Sequence, residues 1–346
     1  MTQQEIAEAL GISRLTVSKT LNNIPGVSGE MRQLIIQKAL ELGYRGQNPA
    51  LMELMREMQL DEPKPPNKKW VSLITFKGGE VGTFWGQVIN GMISGLVKNG
   101  LDLNICLISS FTHDDFRMPP NFNASISQGI ITLGKFTEEH IHKIKSYDLP
   151  VVSIDTVASA NEYRLLTDTV MMCNEQPIIE IVSHLIRNGH SKIGYVGEIG
   201  SGRNFRERWL GFRGGMERGG LGVTPEFCCL KQDTGDLTSE MIRQWVANTK
   251  TLPTALVCAN DFTALNVVQA LKERRLRVPH NVAVSGFDNA FESGLLNLTT
   301  VDSFKVELGE QAAAVLVTRL QFPHHPYVSV RMATKVILRE STGRKL

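Results

Sequence analysis

Apolar and polar positions change their spacing along this 346-residue chain, and the change divides it. Over residues 2–44 the apolar positions follow helical spacing in three short runs. Ile6, Ala7 and Leu10 share one face of a first helix. Thr2 and Glu5 have capping-box spacing, so this helix begins near Gln3. Gly11 suits a left-handed turn residue, and small Ala7 lets a second helix cross closely. Ser13 then reads as an N-cap for a helix whose Val17 and Leu21 face a core with Ile12. From residue 70 onward, short apolar runs alternate with helical patterns. Strands are predicted at 70–76, 104–110, 129–134, 150–155, 192–197, 254–259 and 282–287. Helices are predicted at 84–98, 137–147, 178–187, 206–218 and 263–274. The alternation predicts an α/β class with two similar lobes, each built on a parallel sheet.

The opening three helices have the plan of a helix-turn-helix DNA reader, in which the second helix meets base edges. Arg14, Leu15, Ser18 and Lys19 are left facing outward. Arg14 can fork onto a guanine, Leu15 can touch a thymine methyl, and Lys19 can reach a guanine or a phosphate. Ser13, Thr16 and Asn22 are better suited to phosphate contacts, which set register without reading sequence. The plainer reading of the same stretch is a three-helix bundle with scattered surface charge.

Several motifs in order along the chain resemble the lac-repressor (LacI/GalR) family of bacterial transcription regulators. They are IAEALGIS through TVSKTLNN near the start, ERWLGF at 207–212, CANDFTAL at 258–265, VPHNVAVSGFDN at 278–289 and RESTG at 339–343. The resemblance spans nearly the whole chain. It implies a helix-turn-helix domain over 1–47, a hinge helix and linker over 48–69, and a two-lobed effector-binding and dimerisation domain over 70–346. That last domain would share the architecture of periplasmic sugar-binding proteins, with three crossings between lobes near Asp168, Val301 and Val328. The expected function is a dimeric repressor of double-stranded operator DNA, controlled by a small molecule, with a sugar expected first.

Two departures from the family pattern stand out. Asn48 and Pro49 can start the hinge helix, and Leu51, Leu54, Met55 and Met58 share one of its faces. Yet Leu51 stands where the family has Arg, and Glu53 where it has the Leu that wedges into the minor groove. Leu54 comes one position later, roughly 100° around the helix. With Glu53, Glu57, Asp61 and Glu62 nearby, the segment is read as a dimer-contacting helix, followed by an extended Pro-Lys linker over 63–69. The second departure is Cys173-Asn174, where relatives have Asp-Asn.

Ligands of open α/β sheets sit beyond the carboxyl ends of the strands. Asp155, Asn260 and Asp288 end strands, and Arg208 follows one, giving groups that make paired hydrogen bonds to vicinal hydroxyls. Phe84 and Trp85 can wall the C–H face of a sugar ring. The resemblance places the same six residues at effector contacts. Plainer roles exist too: Asp261 as a helix cap, Asn260 as a turn former, Trp85 as core.

Composition changes little. A hydrophobic share of 42% supports substantial cores, but the net charge is only +2. Residues 1–49 hold five basic and four acidic side chains, so DNA affinity must come from placed contacts and dimerisation. Cys106, Cys173, Cys228, Cys229 and Cys258 lack metal or redox spacing and read as free thiols of a cytoplasmic protein. No signal peptide or membrane span is expected. An enzyme is disfavoured. Phe205 occupies the third glycine position of a dinucleotide fingerprint begun by Gly200 and Gly202, and no nucleophile elbow or His-Glu-x-x-His occurs. His140 and His142 read as a solvated helix face, His324 and His325 as a loop. No cofactor and no metal is expected. The alternative reading is a cytosolic sugar-binding protein without a DNA role.

Overall fold

The computed structural model describes residues 2–22, 24–42, 69–76, 84–108, 116–155, 165–200, 202–233 and 236–343. The hinge reading over 48–68, with its Leu51, Glu53 and Leu54, lies outside the described residues. The chain divides into two compact units, Met1–Lys68 and Lys69–Leu346.

The first unit holds α1 (Gln3–Leu10), α2 (Arg14–Leu21) and α3 (Gly29–Glu41). The capping box forms as expected: Thr2 Oγ1 accepts from the Glu5 amide, and Glu5 Oε2 accepts from the Thr2 amide at 2.7 Å. Gly11 ends α1 in the left-handed region at φ 64°, where a residue with a Cβ is strained. That turn swings α2 across α1. Ile6, Ala7, Val17, Leu21, Ile35, Ile36 and Ala39 are buried together, with Ile12 and Met31 packed around them. Each fully buried aliphatic side chain contributes roughly 1.5–3 kcal/mol, so so few of them make a small, marginal core.

The second unit has two sheets. Strands β1 (Lys69–Phe76), β2 (Leu101–Ile108), β3 (Ser127–Leu133), β4 (Val151–Ile154), β5 (Asp168–Met172) and β11 (Ser329–Met332) form the first, in the order β11-β5-β4-β3-β1-β2. Strands β6 (Ile193–Glu198), β7 (Cys229–Lys231), β8 (Ala255–Cys258) and β9 (Ala283–Ser285) form the second, in the order β7-β6-β8-β9. Every pairing within these two sheets is parallel. Helices cover them, so the strands read as continuous apolar runs; all four residues of β4 and of β8 are buried.

On the first sheet lie α4 (Phe84–Val97), α5 (Glu138–Lys145) and α11 (Lys305–Gln321). Helices α4 and α11 cross at two glycines. A Cβ on Gly91 would come within 1.9 Å of the Val306 carbonyl oxygen, and one on Gly309 within 1.9 Å of that of Val88. The second sheet carries α6 (Glu175–Arg187), α7 (Arg203–Arg218), α8 (Ser239–Asn248), α9 (Asp261–Glu273) and the short α10 (Phe291–Leu295).

The chain leaves the first sheet after β5 and returns through β10 (Thr300–Asp302) into α11. It adds β11 to the first sheet, then forms β12 (Lys335–Ile337) antiparallel to β10. Three crossings therefore join the lobes.

Two expectations are corrected here. His140 is buried rather than solvated. Its ring stacks on Phe116 with centroids 4.7 Å apart, and its Nδ1 accepts from the Thr137 amide, closing a cap on α5. Asp261 does not cap α9. Asn260 does, its Oδ1 accepting from the Thr263 amide at 2.8 Å, while Asp261 is buried. All five cysteines are unpaired thiols; Cys106, Cys229 and Cys258 are buried. Burial pushes the Cys258 thiol well above its usual range and Cys229 up to about 11, so neither is a reactive thiolate at neutral pH. No helix among the described residues is long and apolar enough to cross a membrane.

Candidate DNA reader and effector cleft

Local chemistry fixes α2. Ser13 Oγ accepts from the Thr16 amide at 3.1 Å and lies 2.8 Å from Thr16 Oγ1. At the other end Asn22 Nδ2 donates to the Ser18 carbonyl at 2.9 Å and lies 3.3 Å from Ser18 Oγ. Ser13, Thr16, Ser18 and Asn22 thus share in capping their own helix, in addition to any contact with phosphate. Val17, Thr20 and Leu21 turn inward. Arg14 is exposed, Leu15 is 65% exposed and Lys19 is half-buried. A leucine held this far into water costs solvation free energy, which a partner surface would recover. Burial places Arg14 and Leu15 at the accessible start of the helix, where a major-groove reader needs them.

In the second unit the crossings converge on Arg208. Its helix begins just after β6, and Gly211, one turn on, lets α7 approach the Glu175 backbone of α6; a Cβ there would meet the Glu175 carbonyl oxygen at 2.5 Å. Arg208 is 2% exposed. Nε donates to Asn174 Oδ1 at 3.0 Å, Nη1 to the Ala259 carbonyl at 2.7 Å, and Nη2 reaches Asp288 Oδ1 at 3.3 Å. The guanidinium lies 3.7 Å above the Phe287 ring. Most of its donors are committed to the protein. Asp288, at φ 108° and about a fifth exposed, is the member of the pair nearer solvent.

Each crossing feeds this pair. Asn174, on the first, is fully buried and donates to Glu207 Oε2 while accepting from Arg208. Lys305, on the second, donates to the carbonyls of Asp288 and Asn289, and its ammonium sits 5.6 Å from the Phe84 ring centroid. Arg331, on the third, grips Glu207 through both terminal nitrogens. Burial pushes Glu207 up, but the bonds from Arg331 and Asn174 outweigh it and hold the carboxyl below its usual value.

Asp261 runs the other way. Burial and the neighbouring charge of Asp288 push it up to about 7, against hydrogen bonds from Thr300 Oγ1 at 2.7 Å and the Ala290 amide at 2.8 Å.

Of the six sequence candidates, Arg208 and Asp288 are in contact, and Phe84 joins them through Lys305. Asn260 follows the carbonyl that Arg208 binds, but its side-chain oxygen holds α9. Trp85 packs edge-on against Phe84 with centroids 4.7 Å apart, both half-buried against the main core. Asp155 is buried at the end of β4, at φ 60°.

Sequence reasoning missed Asn174's partners, Glu207, Lys305, Arg331 and Phe205, whose ring has Arg208 on it at 5.5 Å and Lys135 at 5.4 Å. Glu207 had a signal, its spacing from Arg203, which donates to it at 3.0 Å. Lys305 and Arg331 had none, being over twenty residues apart and far from 207. Among the described residues no cluster of His, Cys, Asp and Glu could hold a metal.

A helix-turn-helix unit followed by a two-lobed α/β unit with a polar cluster at its lobe crossings is the build of a DNA-binding transcription regulator. Residues 2–47 match the family described as bacterial regulatory proteins, lacI family, and residues 182–342 match the periplasmic binding protein-like domain. The chain belongs to the lacI family of bacterial regulatory proteins, whose members are regulators and not enzymes. It is 23% identical over 353 residues to the HTH-type transcriptional repressor PurR of Pasteurella multocida (strain Pm70), covering 100% of this chain and 99% of that one. Its fold is similar to the transcriptional regulator CelR–cellobiose complex, at TM-score 0.67 and 19% identity, and to the lac repressor dimer bound to operator and the anti-inducer ONPF, at 0.65 and 17%. Each covers 99% of both chains.

Proposed function

We propose that the protein is a dimeric transcriptional repressor whose affinity for operator DNA is controlled by a small ligand bound between its lobes. The observation that carries the DNA half is the exposed start of α2, where Arg14 and Leu15 stand clear of a helix capped at both ends. Relatives named repressors, matched end to end, support the same direction of control.

The ligand half rests on the cluster at the crossings. A group that engages Asp288 touches a side chain tied to all three connections, so binding is felt by the lobe arrangement. That arrangement would in turn set the separation of two DNA readers. A carbohydrate suits this set best: Asp288 and Asp155 are acceptors for paired hydroxyls, and Phe84 offers a ring face. The similar CelR structure holds cellobiose, which favours the same class.

Exposed apolar side chains support a homodimer. Ile93 and Val97 lie one turn apart on α4, Ile105 and Leu107 share a face of the edge strand β2, and Phe291 and Leu295 stand out on α10. Large apolar groups left in water in this number mark a protein interface. A reducing cytoplasm fits the five free thiols.

The test is in vitro selection of the full chain on random duplex DNA at near-physiological salt. A two-fold symmetric consensus is expected. No enrichment, with or without cellobiose, ribose or purine bases added, would leave a sugar-binding protein without a DNA role as the better account.

A further inference from the structure

A second set of charges joins the lobes away from the crossings. Lys135 follows β3 on the first lobe, set by Gly134 at φ 111°. Its ammonium lies 3.2 Å from Glu198 Oε2 and 3.3 Å from Asp236 Oδ1, both on the second lobe. Glu198 ends β6, and its other oxygen accepts from the Leu237 amide at 3.0 Å, which fixes the carboxylate towards Lys135. The Phe205 ring lies beneath the ammonium. Lys135 and Glu198 are about 24% and 13% exposed, whereas Asp236 is 82% exposed, so Glu198 is the partner that matters and Asp236 is largely screened.

We infer that Lys135 is an ionic latch, which holds the lobes together through Glu198. Lys135 and Glu198 sit at the carboxyl ends of β3 and β6, the edge at which a ligand of such sheets enters. The pair ties the lobes where no backbone crosses, so lobe opening must break it. Both anionic partners of Lys135 among the described residues lie on the second lobe, so separating the lobes returns its charge to water. The charges that lobe opening separates are water-facing and stabilised by salt, whereas the half-buried pair gains little from it, so the latch loosens as ionic strength rises. A ligand reaching the cluster at Asp288 therefore meets lobes already closed by charge. It must open the latch to enter and can leave it to re-form once bound.

The test uses ligand-free full-length protein and no DNA, so a failure of the regulator reading leaves its result intact. Donor and acceptor dyes are attached through keto-bearing residues at Glu139 and Ser239, exposed positions on the two lobes. Native thiols stay untouched, and excess unlabelled chain isolates transfer within one molecule. In about 50 mM salt a predominantly high-transfer population is expected. Lys135→Met keeps the stem and the Phe205 contact, and should raise the low-transfer population at least fivefold. Lys135→Arg should restore the wild-type distribution. Raising salt to about 1 M should move wild type toward Lys135→Met and leave that variant unchanged. A side chain that only packs gives no salt dependence and no difference between Met and Arg. Equal distributions for wild type and Lys135→Met, or a wild type indifferent to salt, overturn the latch.

Discussion

Arg331 meets Glu207 through both terminal nitrogens, at 2.9 and 2.6 Å, so a strand of the first lobe grips the helix of the second that carries Arg208. Glu207 is also bound by Asn174, which orients Arg208, so each crossing residue fixes the next. The middle of this chain, Asn174, Glu207 and Arg208, is buried, whereas Arg331 at one end and Asp288, the outer end beyond β9, both reach water. A ligand is best placed to act on the outer end.

Removing Arg208 therefore does more than remove a proposed ligand contact. Arg208→Ala leaves Asn174 Oδ1, the Ala259 carbonyl and Asp288 without their donor. Breaking a buried ion pair by deleting one partner costs roughly 3–5 kcal/mol, with the low end apt here because Asp288 is partly exposed. Urea unfolding of the second unit should show that loss. Asp288→Asn keeps an acceptor for Arg208 and should cost about 1–2 kcal/mol while still weakening ligand binding. If Arg208→Ala unfolds like wild type, the guanidinium is not holding the lobes.

Stability should also fall as pH rises through neutrality. An aspartate ordinarily titrates near 3.8, and in the folded protein Asp261 is pushed up to about 7 by burial and by Asp288. Between those values the folded chain binds the extra proton, so its stability declines as pH climbs through the window and is lowest above it. Glu207 has the opposite sign, but its depressed value acts only on the acid side, below the ordinary carboxylate range. The urea midpoint should drop between about pH 5 and 8, and Asp261→Asn should flatten that slope. A midpoint that rises over this range, or an unchanged slope in the variant, refutes the assignment.

What the sequence made legible follows from distance along the chain. The capping box at Thr2, the turn at Gly11 and the cap at Ser13 are local, and each appears as read. Most of the parallel strands were legible because a two-sided burial writes a run of apolar residues. Helices α8 and α11 were not read. In α11 the contacts that matter are made by Gly309 and small alanines against α4, a pattern with little amphipathic contrast. The polar cluster was half legible: Arg208 and Asp288 follow strands, whereas Lys305 and Arg331 join them only through the crossings. Asp261 was misread because its neighbour Asn260 took the cap.

Arg14 offers a cleaner substitution, since it is exposed. Arg14→Ala should leave the melting temperature unchanged and relax base preference at one operator position, a loss of about 1–3 kcal/mol of discrimination there. Selection on randomised duplexes compares the two consensus sequences position by position. Unchanged selectivity would remove Arg14 from the readout and leave it a phosphate contact, whose loss weakens all sites alike and lowers the salt slope.

The proposed dimer face yields the prediction that separates assembly from recognition. Val97 is more than half exposed at the last turn of α4, and Ile93 lies four residues earlier. Neither touches the Arg208 cluster, so Val97→Asp and Ile93→Asp should fold with wild-type stability at low concentration. If two copies meet on this face, burying a carboxylate there is costly enough to favour monomers. Sedimentation equilibrium should show the shift. Operator affinity should fall by at least tenfold, because two tethered readers bind the second half-site at high effective concentration and a monomer does not. A single half-site should be bound equally by variant and wild type. A variant that stays dimeric places the interface elsewhere, with Phe291 and Leu295 of α10 the next residues to change.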